Sequence, residues 1–238
     1  MADLKDKLWA QQQRLPEIPL GYPQGHPVSG EWQLPLLKPV LAPDPTLDAI
    51  GFDDRKRVKN PSNSIVHFYR DDMKFMGLLL DPKKWVYRFM DFGYVITPDI
   101  SLGDEMPEWL IAHRTFYSRA VGAIWQSRGL KVVPNLRWRR LEQIPHIVQG
   151  LPSGSTIAFS NYGFRRSAKE RKLFHDGLVQ IISFLKPSTV VIFGSLDNDL
   201  TQALLGVPQV IVLSSPLSTK SKSTGPRLPL NPDRDHLF

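Results

Sequence analysis

Thr156-Ile157-Ala158-Phe159-Ser160-Asn161-Tyr162-Gly163-Phe164-Arg165-Arg166-Ser167-Ala168-Lys169-Glu170 is an apolar run that breaks into polar residues and then opens a helix. Ser167 and Glu170 have the spacing of a capping box. Behind them Leu173, Phe174, Leu178, Ile181, Ile182 and Leu185 recur at helical spacing until Lys186-Pro187 stops the pattern. A strand that feeds a helix in this way is half of a βα unit, the building block of a parallel sheet.

The same rhythm recurs along the chain. Ser64 to Tyr69 runs into Arg70-Asp71-Asp72, Tyr94 to Thr97 into Pro98-Asp99-Ile100-Ser101, Lys131 to Val133 into Pro134-Asn135-Leu136-Arg137, and Thr189 to Phe193 into Gly194-Ser195. Gln209 to Leu213 is a sixth run. Helical patterns fall between them: one from Asp71, interrupted at Pro82; one over about Pro107 to Arg128; one around Leu141 to Gln149; and a small one near Asn198 to Leu205. In the longest of these, Trp109, Leu110, Phe116, Ala120, Val121 and Ile124 are expected on one side and Gly129 is placed as its stop. The expectation is an α/β chain with a mainly parallel sheet of about six strands. That is too few for a closed eight-stranded barrel, leaving an open sheet or an incomplete barrel.

The flanks read differently. Pro16, Pro19, Pro23, Pro27, Pro35, Pro39, Pro43 and Pro45 forbid regular structure and predict an extended lead-in, which Trp32, Leu34, Leu36 and Leu37 hold against the core as a strap. Beyond Pro216 the Ser, Thr, Lys and Pro content predicts a flexible basic tail. The reading is thus a strap over 1–63, an α/β core over 64–215 and a tail over 216–238.

Composition narrows the function. Lys plus Arg number 30 and Asp plus Glu 23, a formal net charge of +7, and the pI of ≈ 9.6 is compatible with polyanion partners. The chain has no cysteine, which excludes disulfides, thiolate metal sites, iron–sulfur clusters and cysteine nucleophiles. Met1-Ala2-Asp3-Leu4-Lys5-Asp6-Lys7 mixes charges and leads into no apolar segment. No run approaches the roughly 20 residues that span a bilayer. The expectation is a cytoplasmic protein without a membrane partner. No Gly-x-Gly-x-x-Gly, Gly-x-x-x-x-Gly-Lys-Ser/Thr, Gly-x-Ser-x-Gly or His-Glu-x-x-His occurs, which removes the best-marked nucleotide, hydrolase and zinc-protease readings.

In parallel α/β sheets ligands bind outside the carboxyl ends of the strands, so candidate chemistry lies there. Asp72 and Asp99 follow adjacent strands, and clustered carboxylates hold a hard cation such as Mg²⁺ or Mn²⁺ or divide acid and base roles. Asp71 reads equally as a helix cap, and Asp104 and Glu105 as partners of the long helix's dipole. Asn135 and Arg137 follow the third strand; a guanidinium there suits a carboxylate or phosphate, or a structural ion pair with an aspartate. His67 is either a core residue or, near Asp71, a general base. Trp138-Arg139-Arg140 fits base stacking or ordinary surface packing. Gly163, Arg165 and Arg166 converge on a helix N-terminus, an arrangement that binds anions, and Gly194-Ser195 offers a second small turn of this kind.

His67-Phe68-Tyr69-Arg70-Asp71-Asp72, Val95-Ile96-Thr97-Pro98-Asp99-Ile100-Ser101-Leu102, Val132-Val133-Pro134-Asn135-Leu136-Arg137-Trp138 and Ile192-Phe193-Gly194-Ser195 together resemble a family of uncharacterised proteins, a domain of unknown function common in bacteria, their phages and mobile elements. The resemblance covers over half the chain. It implies an α/β fold and a phage or mobile-element setting, and carries no activity with it. Three readings follow: a nucleic-acid-associated accessory protein that binds DNA or RNA through a basic face; an enzyme acting on a phosphate-bearing substrate with the carboxylates and Arg137 at the mouth; and a structural phage protein.

Overall fold

The computed structural model describes residues 15–164 and 167–213. The flexible tail expected from 216 onward lies outside them. Two short strands, β1 (Val28–Ser29) and β2 (Leu34–Pro35), pair antiparallel. Seven parallel strands follow: β3 (Asp48–Gly51), β4 (Ser64–His67), β5 (Tyr94–Ile96), β6 (Val132–Val133), β7 (Thr156–Ser160), β8 (Thr189–Phe193) and β9 (Gln209–Leu213). They form a sheet of four in the order β3-β4-β5-β6 and a sheet of three in the order β7-β8-β9. The two are joined by a parallel bridge between Asn135 and Ala158, where the amides of Leu136 and Ala158 donate to Ala158 and Pro134 carbonyls at 2.9 Å each. Spatial order therefore follows chain order throughout. Among the described residues six α-helices are interleaved: α1 (Met76–Leu80), α2 (Val86–Phe89), α3 (Glu108–Gln126), α4 (Ile144–Ile147), α5 (Ala168–Leu185) and α6 (Asn198–Ala203).

The strands alternate in what they bury. Val66, Val95 and Val132 pack with Phe68 and Tyr117, Val121, Ile124 and Trp125 of α3. Ile157, Phe159, Val190 and Ile192 pack with Phe174, Leu178, Ile181 and Leu185 of α5. The other face gathers Ile65, Ile96, Val133, Ala158, Val191, Phe193, Ile211 and Leu213 into one cluster of its own. The rings of His67 and Phe193 meet on this face with centroids 4.2 Å apart, although three strands lie between β4 and β8. A flat sheet would separate them by roughly 19 Å at its normal strand spacing. The parallel surface is therefore curled around its inner face. It is not a closed barrel, because β3 and β9 do not pair with each other.

Three expectations need correction. The sheet region has seven parallel strands in two sheets rather than about six in one, because Asp48–Gly51 pairs along β4; its Asp-Ala-Ile-Gly sequence carries only one strong strand former, so no periodicity announces it. The lead-in is not wholly irregular, since β1 and β2 pair across a turn with Gly30 and Gln33 at positive φ. Trp109 is 65 % exposed rather than on the buried side of α3, whose apolar face is Leu110, Ile111, Tyr117, Val121, Ile124 and Trp125.

The stretch after β2 crosses the amino ends of the strands. The side chain of Gln126 holds both backbone groups of Lys38, at 2.8 and 2.9 Å. The amide of Val40 donates to Ser155 Oγ and its carbonyl accepts from Thr156 Oγ1, each at 3.2 Å. Among the described residues no helix is long and apolar enough to cross a membrane.

Candidate functional site

All seven strands run parallel, so the segments carrying Asp72, Asp99, Asn135, Asn161 and Gly194 emerge at one end. Asp99 and Arg137 meet there: Arg137 Nη1 donates to Asp99 Oδ2 at 2.5 Å and Asn135 Nδ2 donates to Oδ1 at 2.8 Å. Tyr69 donates its hydroxyl to Asn135 Oδ1 at 3.1 Å. The Asn135 amide donates to Thr97 Oγ1 at 2.9 Å. Three strand ends, those of β4, β5 and β6, are thus stitched by one buried polar network, and Asp99 sits in it as the acceptor that orients its neighbours.

Asp72 lies beside this network. Ser101 supplies it with two bonds, Oγ to Oδ1 at 2.9 Å and the amide to Oδ2 at 3.1 Å. Burial raises the Asp72 pKa above the ordinary carboxylate range, against the lowering effect of the Ser101 bonds and the Arg114 charge. Each of the two carboxylates therefore has hydrogen-bond donors and a guanidinium within its electrostatic reach. Among the described residues no group of three or more His, Cys, Asp or Glu side chains stands together to hold a metal.

His67 points into the curled interior. It is fully buried, and burial first, then the Arg70 charge, lowers its pKa to about 3. Nδ1 accepts weakly from the Tyr69 amide at 3.4 Å and Nε2 has no hydrogen-bond partner. An imidazole this hard to protonate is a poor general base near neutral pH.

The expected anion loop is only partly described. Arg165 and Arg166 lie outside the described residues. Gly163 belongs to a one-turn helix, Tyr162–Phe164. Ser195 contributes its carbonyl, which accepts from Asn161 Nδ2 at 2.6 Å. Gly194 needs to be glycine: its φ is +138°, and a Cβ there would stand 1.9 Å from Asn161 Oδ1. The Ser167 and Glu170 capping box forms as the spacing implies, with both bonds at 3.1 Å. The Trp138 stretch packs rather than stacks on a ligand. Trp138 is fully buried against Phe174, while Arg139 pairs with Asp104 and Arg140 with Glu108.

Several site residues have no strong sequence signal. Tyr69, Thr97 and Ser101 look like ordinary strand-end residues. Arg114 does leave a trace, because it interrupts the spacing from Leu110 to Tyr117 and Val121 on the buried side of α3. Arg119 is likewise buried within that helix.

A second feature lies beside β3. A 3-10 turn, Phe52–Arg57, carries Arg55 over Phe52 and Trp85, with its guanidinium carbon 4.1 and 4.6 Å from the ring centroids. Arg88 of α2 lies 4.6 Å over the same Trp85 ring. A groove of about 380 Å³, open to solvent, is lined here by Arg55, Lys56, Arg88 and Phe92. Burial, and then the repulsion of Arg88, lowers the Arg55 pKa; the more distant Asp53 only partly opposes this.

The chain is 29 % identical over 170 residues to the Gene 1 protein of Mycobacterium phage D29, covering 71 % of this chain and 63 % of that protein. It is 30 % identical over 170 residues to the Gene 1 protein of Mycobacterium phage L5, covering 71 % and 74 % respectively. The match thus spans less than two thirds of the D29 protein's length. No solved structure matches the chain. A family model described as a domain of unknown function, DUF4417, matches residues 26–212, and the chain therefore belongs to the DUF4417 family.

Proposed function

We propose that the protein is a nucleic-acid-associated accessory protein of a phage or mobile element that contacts the polyanion backbone through the groove beside β3. The observation that carries this reading is the pairing of Arg55 and Arg88 on the one Trp85 ring, with Lys56 beside them and no carboxylate in the groove lining. Two guanidiniums held near enough to repel one another form a preassembled cation pair that phosphate oxygens relieve. The nearby Asp53 does not cancel it, being engaged by Arg70 and Lys74 at 3.2 and 2.9 Å. Membership of a family with phage relatives supports the setting.

The reading makes a salt-dependent prediction. Each phosphate contact releases counterions, so affinity for a generic DNA duplex, followed by fluorescence anisotropy, falls steeply with NaCl concentration. Lys56→Ala with Arg88→Ala leaves the fold intact, both side chains being surface groups, and flattens the log–log slope by about two units. Arg55 is left unchanged because Nη1 also donates to the Phe52 carbonyl. Absence of binding at low salt, for both DNA and RNA, or an unaltered slope in the double variant, would remove this function.

A further inference from the structure

We propose that the cleft between the carboxyl ends of β5 and β6 and the middle of α3 binds the phosphoryl group of a small molecule, with Arg119 and Arg137 as its principal donors. This goes beyond the nucleic-acid reading and rests on none of the residues of the β3 groove. The cleft opens to solvent. Arg114, Arg119 and Arg137 line it together with Thr115 and Asn135.

The central observation is the state of Arg119. It is 1 % exposed and lines the cleft, and its guanidinium makes one hydrogen bond, from Nη2 to the Ile147 carbonyl at 2.8 Å. Nη1 is buried without a partner. Among the described residues no carboxylate is paired with it. A buried guanidinium without a counter-charge is a strained arrangement that an incoming anion relieves, and its pKa is accordingly pushed down to about 9 by burial alone. Arg137 adds a second unsatisfied donor: Nη1 is on Asp99, while Nε is buried without a hydrogen-bond partner.

The acids around the cleft do not block this reading. Asp99 is neutralised by Arg137 and Asn135, and Asp72 is held by Ser101 and answered by the charge of Arg114. That accounting leaves the Arg119 charge over. A planar carboxylate presents two oxygens in one plane, as Asp99 does to Asn135 and Arg137. The remaining donors instead arrive from two elements, α3 and the segment after β6, which suits the several oxygens of a tetrahedral phosphoryl group. Arg119 is too deep for a nucleic-acid backbone lying on the surface to reach it. The lining also lacks an aromatic ring, and Pro98, Ile100 and Leu136 suit a short aliphatic carrier better than a base.

Inorganic phosphate is the direct probe. A ligand that binds only the folded state raises its melting temperature by mass action. Millimolar phosphate is expected to raise the melting temperature of the full chain by about 2–4 °C, while sodium acetate and sodium chloride at matched ionic strength leave it unchanged. Arg119→Met should abolish the phosphate response. Thr115→Ile tests the same point without removing a buried charge: it fills the entrance from the partly exposed side of α3, keeps every arginine and is also expected to abolish the response. A phosphate response in the wild type that is lost in Thr115→Ile supports the site even where Arg119→Met does not fold. No phosphate response, an equal response to acetate, or a response that survives in Thr115→Ile overturns it. DNA binding in the same preparations is read separately and depends on Lys56 and Arg88, so either site can fail alone.

Discussion

His67 shows at residue scale how burial selects a role. Its ring is packed between Tyr69 and Phe193, with centroids 5.3 and 4.2 Å away, and its pKa falls from 6.5 to about 3 because the charged form has lost its water. The unfolded chain then binds a proton that the folded one refuses. Stability from this residue is fully present above pH 6.5 and is lost as the pH falls toward 3, with a slope approaching about 1.4 kcal/mol per pH unit. His67→Phe should remove that part of the acid sensitivity, measured as denaturant midpoints between pH 7 and pH 4. An unchanged slope would mean that the ring is protonated in place. The strand-end position of His67 was readable in the sequence; the enclosure that disables it as a base comes from Phe193, four strands along.

At the scale of one element, α5 follows its sequence signals closely. Ser167 and Glu170 start it, Phe174, Leu178, Ile181 and Leu185 form its buried face, and Lys186 ends it in the left-handed region at φ 44° before Pro187. Gly177 lies on the same face, where the helix meets Trp138. A Cβ at Gly177 would stand 2.2 Å from Trp138 Nε1, and the indole is fixed by its bond to the Leu173 carbonyl at 3.2 Å and by its stack on Phe174. Alanine is the better helix former by about 1 kcal/mol, yet overpacking at so close a contact outweighs that gain. Gly177→Ala is expected to lower stability by about 1–3 kcal/mol in guanidinium titrations; a midpoint equal to or above the wild type would show that Trp138 has room to move.

Across the whole molecule, the curled sheet has an end tied by backbone and an end lined with polar side chains. The Lys38 to Pro43 stretch ties the amino ends, reaching Gln126, Ser155, Thr156 and, through the Pro43 carbonyl, Gln209 at 3.4 Å. Gln126 holds Lys38 as a paired strand would, with one bond given and one accepted. Gln126→Ala should lower global stability by about 1–2 kcal/mol and speed hydrogen exchange at the Lys38 amide. Unaltered exchange there would show that the segment is held by its other contacts. The polar end carries the Asp99, Asn135 and Arg137 network and the Arg119 cleft, while the Arg55, Lys56 and Arg88 groove lies beside the edge strand β3.

The sequence by itself determined the βα rhythm, the start and stop of α5 and the gathering of Asp72, Asp99, Asn135 and Arg137 at one end, because caps, periodicities and parallel connections are encoded within short stretches of chain. It did not mark β3, whose four residues acquire strand geometry from pairing with β4. Nor did it show that Arg55 and Arg88, far apart in sequence, share one tryptophan face, or that Arg119 lies buried with no counter-charge among the described residues. Only the tertiary structure decided these, since sheet curvature and helix seating bring distant side chains together and set how much water each charge retains.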